Sequence, residues 1–121
     1  MQQKKTLVLG VSLKPHRYSN KAVIKLLHHQ VPVVAVGLRE GFIEDIKIEK
    51  PFPEFQDIHT ISLYIGPKNQ LTYLDYILKI NPARVIFNPG TENSEIEATL
   101  VLNGIEVVEN CMLVMLSKGE F

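Results

Sequence analysis

The residues of this chain best suited to chemistry are phosphate ligands, and they gather in Thr6–Ser19, TLVLGVSLKPHRYS. The apolar run Leu7–Leu9 ends at Gly10, and a basic loop then leads into helical apolar spacing. A strand that reaches a helix N-terminus through a glycine turn presents backbone N–H groups to an anion. Lys14 and Arg17 stand just before that helix and could share a pyrophosphate with those donors. Pro15 and Tyr18 lie in the same loop. Ser12 and Ser19 pair with no base, so they read as phosphate ligands or helix caps and not as nucleophiles.

The loop is not a dinucleotide fingerprint. Gly10 fits the first glycine, but Ser12 and Pro15 occupy places where further glycines belong. The second apolar run, Val33–Val36, is followed by Gly37–Leu38–Arg39. NAD sites carry an acid at that point, to bind the ribose hydroxyls. The planar fork of Arg39 suits a ribose phosphate instead, a group present in both NADP and coenzyme A. There is no Walker loop, so ATP hydrolysis has no support.

Metal and thiol chemistry are less favoured. His28 and His29 are adjacent on a helix and point apart, and His59 precedes a strand. Only His16 lies in the basic loop, and no histidine has a partner at ligand spacing. The single cysteine, Cys111, rules out an internal disulfide and a cysteine-cluster metal site. It reads as inert packing, or as the partner of a thiol ligand in a mixed disulfide.

Five strands and the helices between them must position these residues. Leu7–Leu9, Val33–Val36, Thr60–Ile65, Arg84–Phe87 and Ile105–Val108 are short apolar runs, as expected of strands buried on both faces. Ala22, Val23, Leu26 and Leu27 set one face of a first helix that fades near His29–Gln30. Pro67 opens a second helix, with a stripe of Leu71, Leu74, Ile77 and Leu78, that ends at Asn81–Pro82. Ser94 and Glu97 have capping-box spacing for a third, with Ile96, Leu100 and Val101 on its buried face and Gly104 at its end. The region 38–59 is irregular. Ile43, Ile46 and Ile48 fit a short extended segment, and a helical turn is expected near Glu54–Asp57. The tail Cys111–Leu116 is almost wholly apolar and must pack on the body or on another chain, as a short helix or a last strand.

Strand–helix alternation argues for an α/β fold with a parallel sheet. Ligands then sit beyond the carboxyl ends of the strands. Those ends carry Gly10–Ser19, Gly37–Arg39, Gly66–Lys68 and Asn88–Thr91, so the glycines, prolines, small hydroxyls and cations collect on one rim.

The totals agree with this reading. A chain of 121 residues suits a single domain over 1–121. The 13 basic and 13 acidic residues cancel, so no overall field favours nucleic acid or an anionic membrane surface. No apolar run reaches membrane-span length, and the charged start MQQKK followed by a short strand does not read as a signal peptide. A soluble cytoplasmic protein is expected.

The stretches LVLGVSLKPHRYSNKAV, SLYIGPKNQLTYLDYI, RVIFNPGTENSEIE and GIEVVENCMLVML resemble the small single-domain CoA-binding protein family, over nearly the whole chain. That family is similar to the CoA-binding domain of the succinyl-CoA synthetase alpha subunit. The resemblance implies a Rossmann-like three-layer α/β fold with a mainly parallel five-stranded sheet and CoA or acyl-CoA along the strand ends. Gly10, Ser12, Pro15, Arg17 and Ser19 match its first-loop pattern and would hold the pyrophosphate region. Val36, Gly37 and Arg39 would lie beside the adenosine part, although relatives often read Val–Asn–Pro where this chain has Val36–Gly37–Leu38. Ile65, Gly66, Pro67 and Lys68 match the third strand end. Asn88, Pro89, Gly90 and Thr91 match the fourth, nearer the pantetheine arm. Nothing matches the synthetase's catalytic phosphohistidine region, so its catalysis is not implied. The expected role is non-catalytic binding of CoA or acyl-CoA, as carrier, sensor or accessory protein. An NADP-binding redox module is one alternative, and the other is an oligomeric scaffold with a vestigial pocket whose subunits pair through the apolar tail.

Overall fold

Among the described residues, seven strands form one sheet, in the spatial order Gly41–Ile43, Ile46–Glu49, Val33–Val36, Thr6–Leu9, Thr60–Leu63, Arg84–Phe87 and Glu106–Glu109. In this computed structural model, residues 3–121 are described. Met1 and Gln2, the first residues of the start MQQKK, lie outside the described residues. The strands are β1 (Thr6–Leu9), β2 (Val33–Val36), β3 (Gly41–Ile43), β4 (Ile46–Glu49), β5 (Thr60–Leu63), β6 (Arg84–Phe87) and β7 (Glu106–Glu109). Every pairing is parallel except that of β3 with β4. The helices are α1 (Tyr18–His28), α2 (Leu71–Ile80), α3 (Ser94–Leu102) and α4 (Met112–Lys118).

The continuous apolar runs are explained by two separate apolar clusters. Leu7 and Leu9 of β1 join one cluster, and Val8 between them joins the other. Alternate side chains leave opposite faces of a strand, so both faces of β1 are buried. The first cluster holds Tyr76 and Ile77 of α2 with Ile96 and Leu100 of α3. The second holds Ala22, Val23 and Leu26 of α1 with Met112, Met115 and Leu116 of α4.

The sheet has two strands more than the five expected. Ile43, Ile46 and Ile48, expected in one extended segment, belong instead to an antiparallel hairpin, with Gly41 opposite Ile48 and Ile43 opposite Ile46. The turn between them is Glu44–Asp45, with Glu44 at φ +52°. Glutamate rarely adopts that conformation, and the pair lacks the Asn-Gly or Asp-Gly signature of a tight hairpin. The hairpin extends the sheet because Ala35 and Val36 of β2 pair in parallel with Ile48 and Glu49.

Other expectations shift for similar reasons. Residues 54–57 form no helical turn, with a bend only at Gln56–Asp57. A side chain replaces the missing helix: the Tyr76 hydroxyl donates to the Pro53 carbonyl at 2.6 Å and holds this crossover against α2. The fifth expected strand begins one residue later, at Glu106, and Ile105 is buried below it. Leu71 is 74% exposed and Val101 59% exposed, so neither belongs to the buried stripes assigned to them. Pro67 opens a separate 3-10 turn, Pro67–Asn69, and not α2 itself, which begins at Leu71. The cap of α3 is Asn93 and not Ser94: its Oδ1 accepts the Ile96 N–H at 3.2 Å, and Glu97 accepts the Asn93 N–H at 2.9 Å. The reciprocal capping logic is thus realised one residue earlier than expected.

The tail forms the short helix α4, and Met112, Met115 and Leu116 are buried in its own chain's second cluster. Their own chain covers these side chains, so the tail packs on the body as a short helix, one of the arrangements expected of it. No helix among the described residues is long and apolar enough to cross a membrane.

Two phenols record the packing on the two faces. Burial pushes Tyr76 and Tyr64 from the usual 10 up to about 12. The folded protein thus keeps protons that the unfolded chain releases at lower pH. The stability associated with these groups is complete below pH 10 and is lost as pH rises from 10 towards 12. The thermal unfolding midpoint should fall across that interval, with late tyrosine ionisation visible by ultraviolet absorbance. A midpoint that stayed level there would contradict the assignment.

Candidate functional site

The carboxyl end of β1 is clamped between its neighbours. The Val36 carbonyl accepts both the Gly10 and the Val11 N–H, each at 2.9 Å, and the Leu9 carbonyl accepts the Tyr64 N–H at 2.8 Å. Gly10 has φ +98°, and a Cβ there would lie 2.8 Å from Ile65 Cγ1 and 3.0 Å from the Tyr64 backbone. A Cβ on Gly37 would lie 2.3 Å from the Val11 carbonyl oxygen. These glycines permit close approach of three strand ends. The N–H groups of Gly10 and Gly37 are already bonded, the latter to Glu49 O at 2.9 Å, so neither is a free phosphate donor. Val36 is wholly buried and belongs to the core beneath the rim.

The β1–α1 loop is fixed by its own polar groups. Ser19 was expected at the helix cap, but it lies inside the first turn, and α1 has Arg17 at its N-cap with no side-chain cap. The buried Ser19 Oγ accepts the Ser12 N–H at 3.0 Å, and Asn20 Nδ2 donates to Ser12 O at 2.9 Å. Ser12 Oγ in turn accepts the Lys14 N–H at 3.1 Å, and Lys14 O accepts the Arg17 N–H at 3.1 Å. What remains for a ligand is the uncapped first turn of α1 together with the exposed side chains of Lys14, Pro15, Arg17 and Tyr18. An uncapped helix start carries orphan N–H groups and partial positive charge. Arg39, also exposed, follows β2 on the adjacent strand.

On the other side of β1, the ends of β5 and β6 are joined by buried amides. Asn88 is the hub: Nδ2 donates to Ser62 Oγ at 2.9 Å and Leu63 O at 3.0 Å, and Oδ1 accepts the Met112 N–H at 2.9 Å. Its side chain is spent inside the protein, and its carbonyl accepts the Thr91 hydroxyl at 2.7 Å. Gly90 turns the loop at φ +93° with open space where a Cβ would stand, and its N–H donates to Glu92 at 2.9 Å. Ile65 is half-buried, while Gly66, Pro67, Lys68 and Pro89 are exposed. Gln70, Asn20 and Ser62 are buried and hydrogen-bonded within or beneath these loops, and sequence spacing did not mark them. Their signal is burial of a polar group, which exists only once the chain is folded.

A cleft of about 820 Å³ lies between Phe52–Gln56 and α2, and another of about 420 Å³ lies beside Lys4 and Phe121. Neither is lined by a candidate rim residue. Cys111 is half-buried just before α4, its N–H bonded to Asn110 Oδ1 at 2.7 Å. Among the described residues, no three His, Cys, Asp or Glu side chains gather to hold a metal ion.

With that geometry in view, comparison with known proteins is informative. A family model for the CoA binding domain matches residues 4–117. The chain belongs to this family of CoA-binding domains. A crystal structure of an uncharacterized protein is 45% identical, each chain covering 100% of the other, with a TM-score of 0.96. A hypothetical protein from Pyrococcus horikoshii OT3 is 25% identical over 97% of this chain and 84% of that one, with a TM-score of 0.87. A dinucleotide-forming acetyl-coenzyme A synthetase of Ca. Korarchaeum cryptofilum, solved with phosphate and ADP, shares the fold. It is 16% identical over 88% of this chain and 25% of that one, with a TM-score of 0.69. No curated protein matches the sequence. For a member of this family, the rim at the strand ends is the natural candidate groove.

Replacing Ser19 by Ala tests the internal tether of this CoA-binding domain. Loss of the acceptor for Ser12 should cost about 1 kcal/mol in chemical denaturation. Hydrogen exchange should accelerate at Ser12, and unchanged exchange there would remove the tether from the account.

Proposed function

We propose that this chain is a single CoA-binding domain that holds CoA or an acyl-CoA along the carboxyl-end rim, as a carrier, sensor or accessory protein without a chemical step of its own. One observation carries the reading: the uncapped start of α1 faces a loop with exposed Lys14 and Arg17 that is tied in place by Ser19 and Asn20. A diphosphate there gains charge-assisted hydrogen bonds without having to order the loop first. Arg39, beyond the adjacent β2, supplies a fork for the ribose phosphate. The remaining length of the ligand runs across Ile65–Lys68 and Pro89–Thr91, following the strand order β2-β1-β5-β6. The two apolar clusters support helix–sheet–helix layering, the usual setting of a rim of this kind. Ser19 acts as a tether in this reading, since its buried Oγ already accepts an N–H. A cytoplasmic location accords with a soluble CoA ligand.

Calorimetric titration with CoA, NADP and NAD tests the proposal. Saturable heat with CoA and none with NAD is the expected result. Tight NADP binding without CoA binding would overturn it, and silence with all three would favour a scaffold with a vestigial pocket. Arg39→Ala should weaken CoA about tenfold and leave dephospho-CoA unchanged. Equal losses for the two ligands would remove the proposed contact with the ribose phosphate.

A further inference from the structure

Gln70 lies just after the 3-10 turn and is 1% exposed. Its Nε2 donates to the carbonyl of Ile65, in the loop after β5, at 2.9 Å, and to the carbonyl of Thr91, in the loop after β6, at 2.6 Å. One amide thus ties two rim loops, to Ile65 five residues before it and to Thr91 21 residues after it. Its Oε1 is buried with no hydrogen-bond partner. The amide cannot be turned over to relieve that acceptor, because the turn would set Oε1 against two carbonyl oxygens and lose both donated bonds. A buried acceptor without a partner is costly, and an apolar side chain of the same size would avoid that cost. Stability alone is therefore a poor account of an amide at this place. What the amide does, and an apolar side chain could not, is hold the two carbonyls at one fixed separation.

We infer that Gln70 is the positioning residue of the rim: it sets the gap between the β5 and β6 loops so that Gly66–Lys68 and Pro89–Gly90 present one continuous wall to the ligand. This rests on the CoA reading above, in which the diphosphate lies at α1 and the rest of the molecule extends past β5 and β6. Gln70 touches no ligand in this scheme. It acts through the backbone of Ile65 and Thr91. The nucleotide end of the ligand, held by Lys14, Arg17 and Arg39, does not depend on it.

The test compares two ligands of different length on the full chain and on Gln70→Met, an apolar side chain of similar size. CoA should bind the variant about tenfold more weakly, whereas ADP, which lacks the arm, should bind both proteins alike. A merely structural role would weaken CoA and ADP together, and that result would overturn the inference. So would unchanged CoA affinity in the variant. Hydrogen exchange of the unmodified protein provides a second measurement that does not require the variant to fold. Added CoA should slow exchange in 64–70 and in 88–93 together, and protection confined to one segment would count against the tie. If the unmodified protein binds ADP but not CoA, the CoA reading fails and the inference falls with it. If it binds CoA and the variant binds CoA equally tightly, only the inference fails.

Discussion

The close approach of three backbones at the end of β1 is the constraint on which the rim depends. The Val36 carbonyl holds two successive N–H groups, and Gly10 and Gly37 remove the side chains that would otherwise force the strand ends apart. A Cβ 2.3 Å from a carbonyl oxygen cannot be accommodated without moving a strand. The consequence reaches the loop that follows. Because Gly10 turns at a positive φ and Val11 is still bonded to β2, Ser12 emerges where the first turn of α1 can meet it. The loop glycine is therefore an architectural residue. The groups proposed to face an anion lie further on, at Lys14, Arg17 and the helix start.

Polar bonding above the sheet continues what apolar packing does within it. Two apolar clusters on opposite sides of the strands bury the core, while side-chain amides and hydroxyls fasten the loops at one end. Ser19 and Asn20 hold the first loop, Asn88 binds β5 and the start of α4, and Gln70 bridges the loops after β5 and β6. Desolvated hydrogen bonds of this kind are directional in a way that apolar contact is not. The sheet can tolerate small changes in core shape, whereas the loops are set by distances near 2.6–3.1 Å between named atoms. Loops held by such ties have little left to order when a ligand meets them, as the proposed rim site requires.

Much of this could be read before folding. Continuous apolar runs marked β1, β2, β5 and β6 because a strand covered on both faces needs no alternation. Glycines and prolines marked the strand ends, and the cations beside them marked the candidate anion site. The hairpin Gly41–Glu49 was only half legible: its isoleucines were visible as an extended segment, but its turn is made by Glu44 in a conformation that its residue type does not advertise. The caps were legible to within one or two residues. Asn93 displaced Ser94 at α3, and Ser19 turned inward from the cap role because a nearby N–H competed for its oxygen.

By itself, the sequence determined the α/β order, the apolar cores and the strand ends where polar and basic residues collect. These follow from local properties: side-chain period, turn-forming residues and charge. Only the tertiary structure decided which of those residues remain free. Gly10, Gly37, Ser19 and Asn88 looked like ligands because of where they stand in the chain. In the fold Gly10, Gly37 and Asn88 are bonded to other strands or helices and Ser19 to Ser12 of its own loop, while Lys14, Arg17, Arg39 and Lys68 remain exposed. Whether a donor or acceptor is already satisfied depends on what folding brings within about 3 Å of it, and no local pattern encodes that.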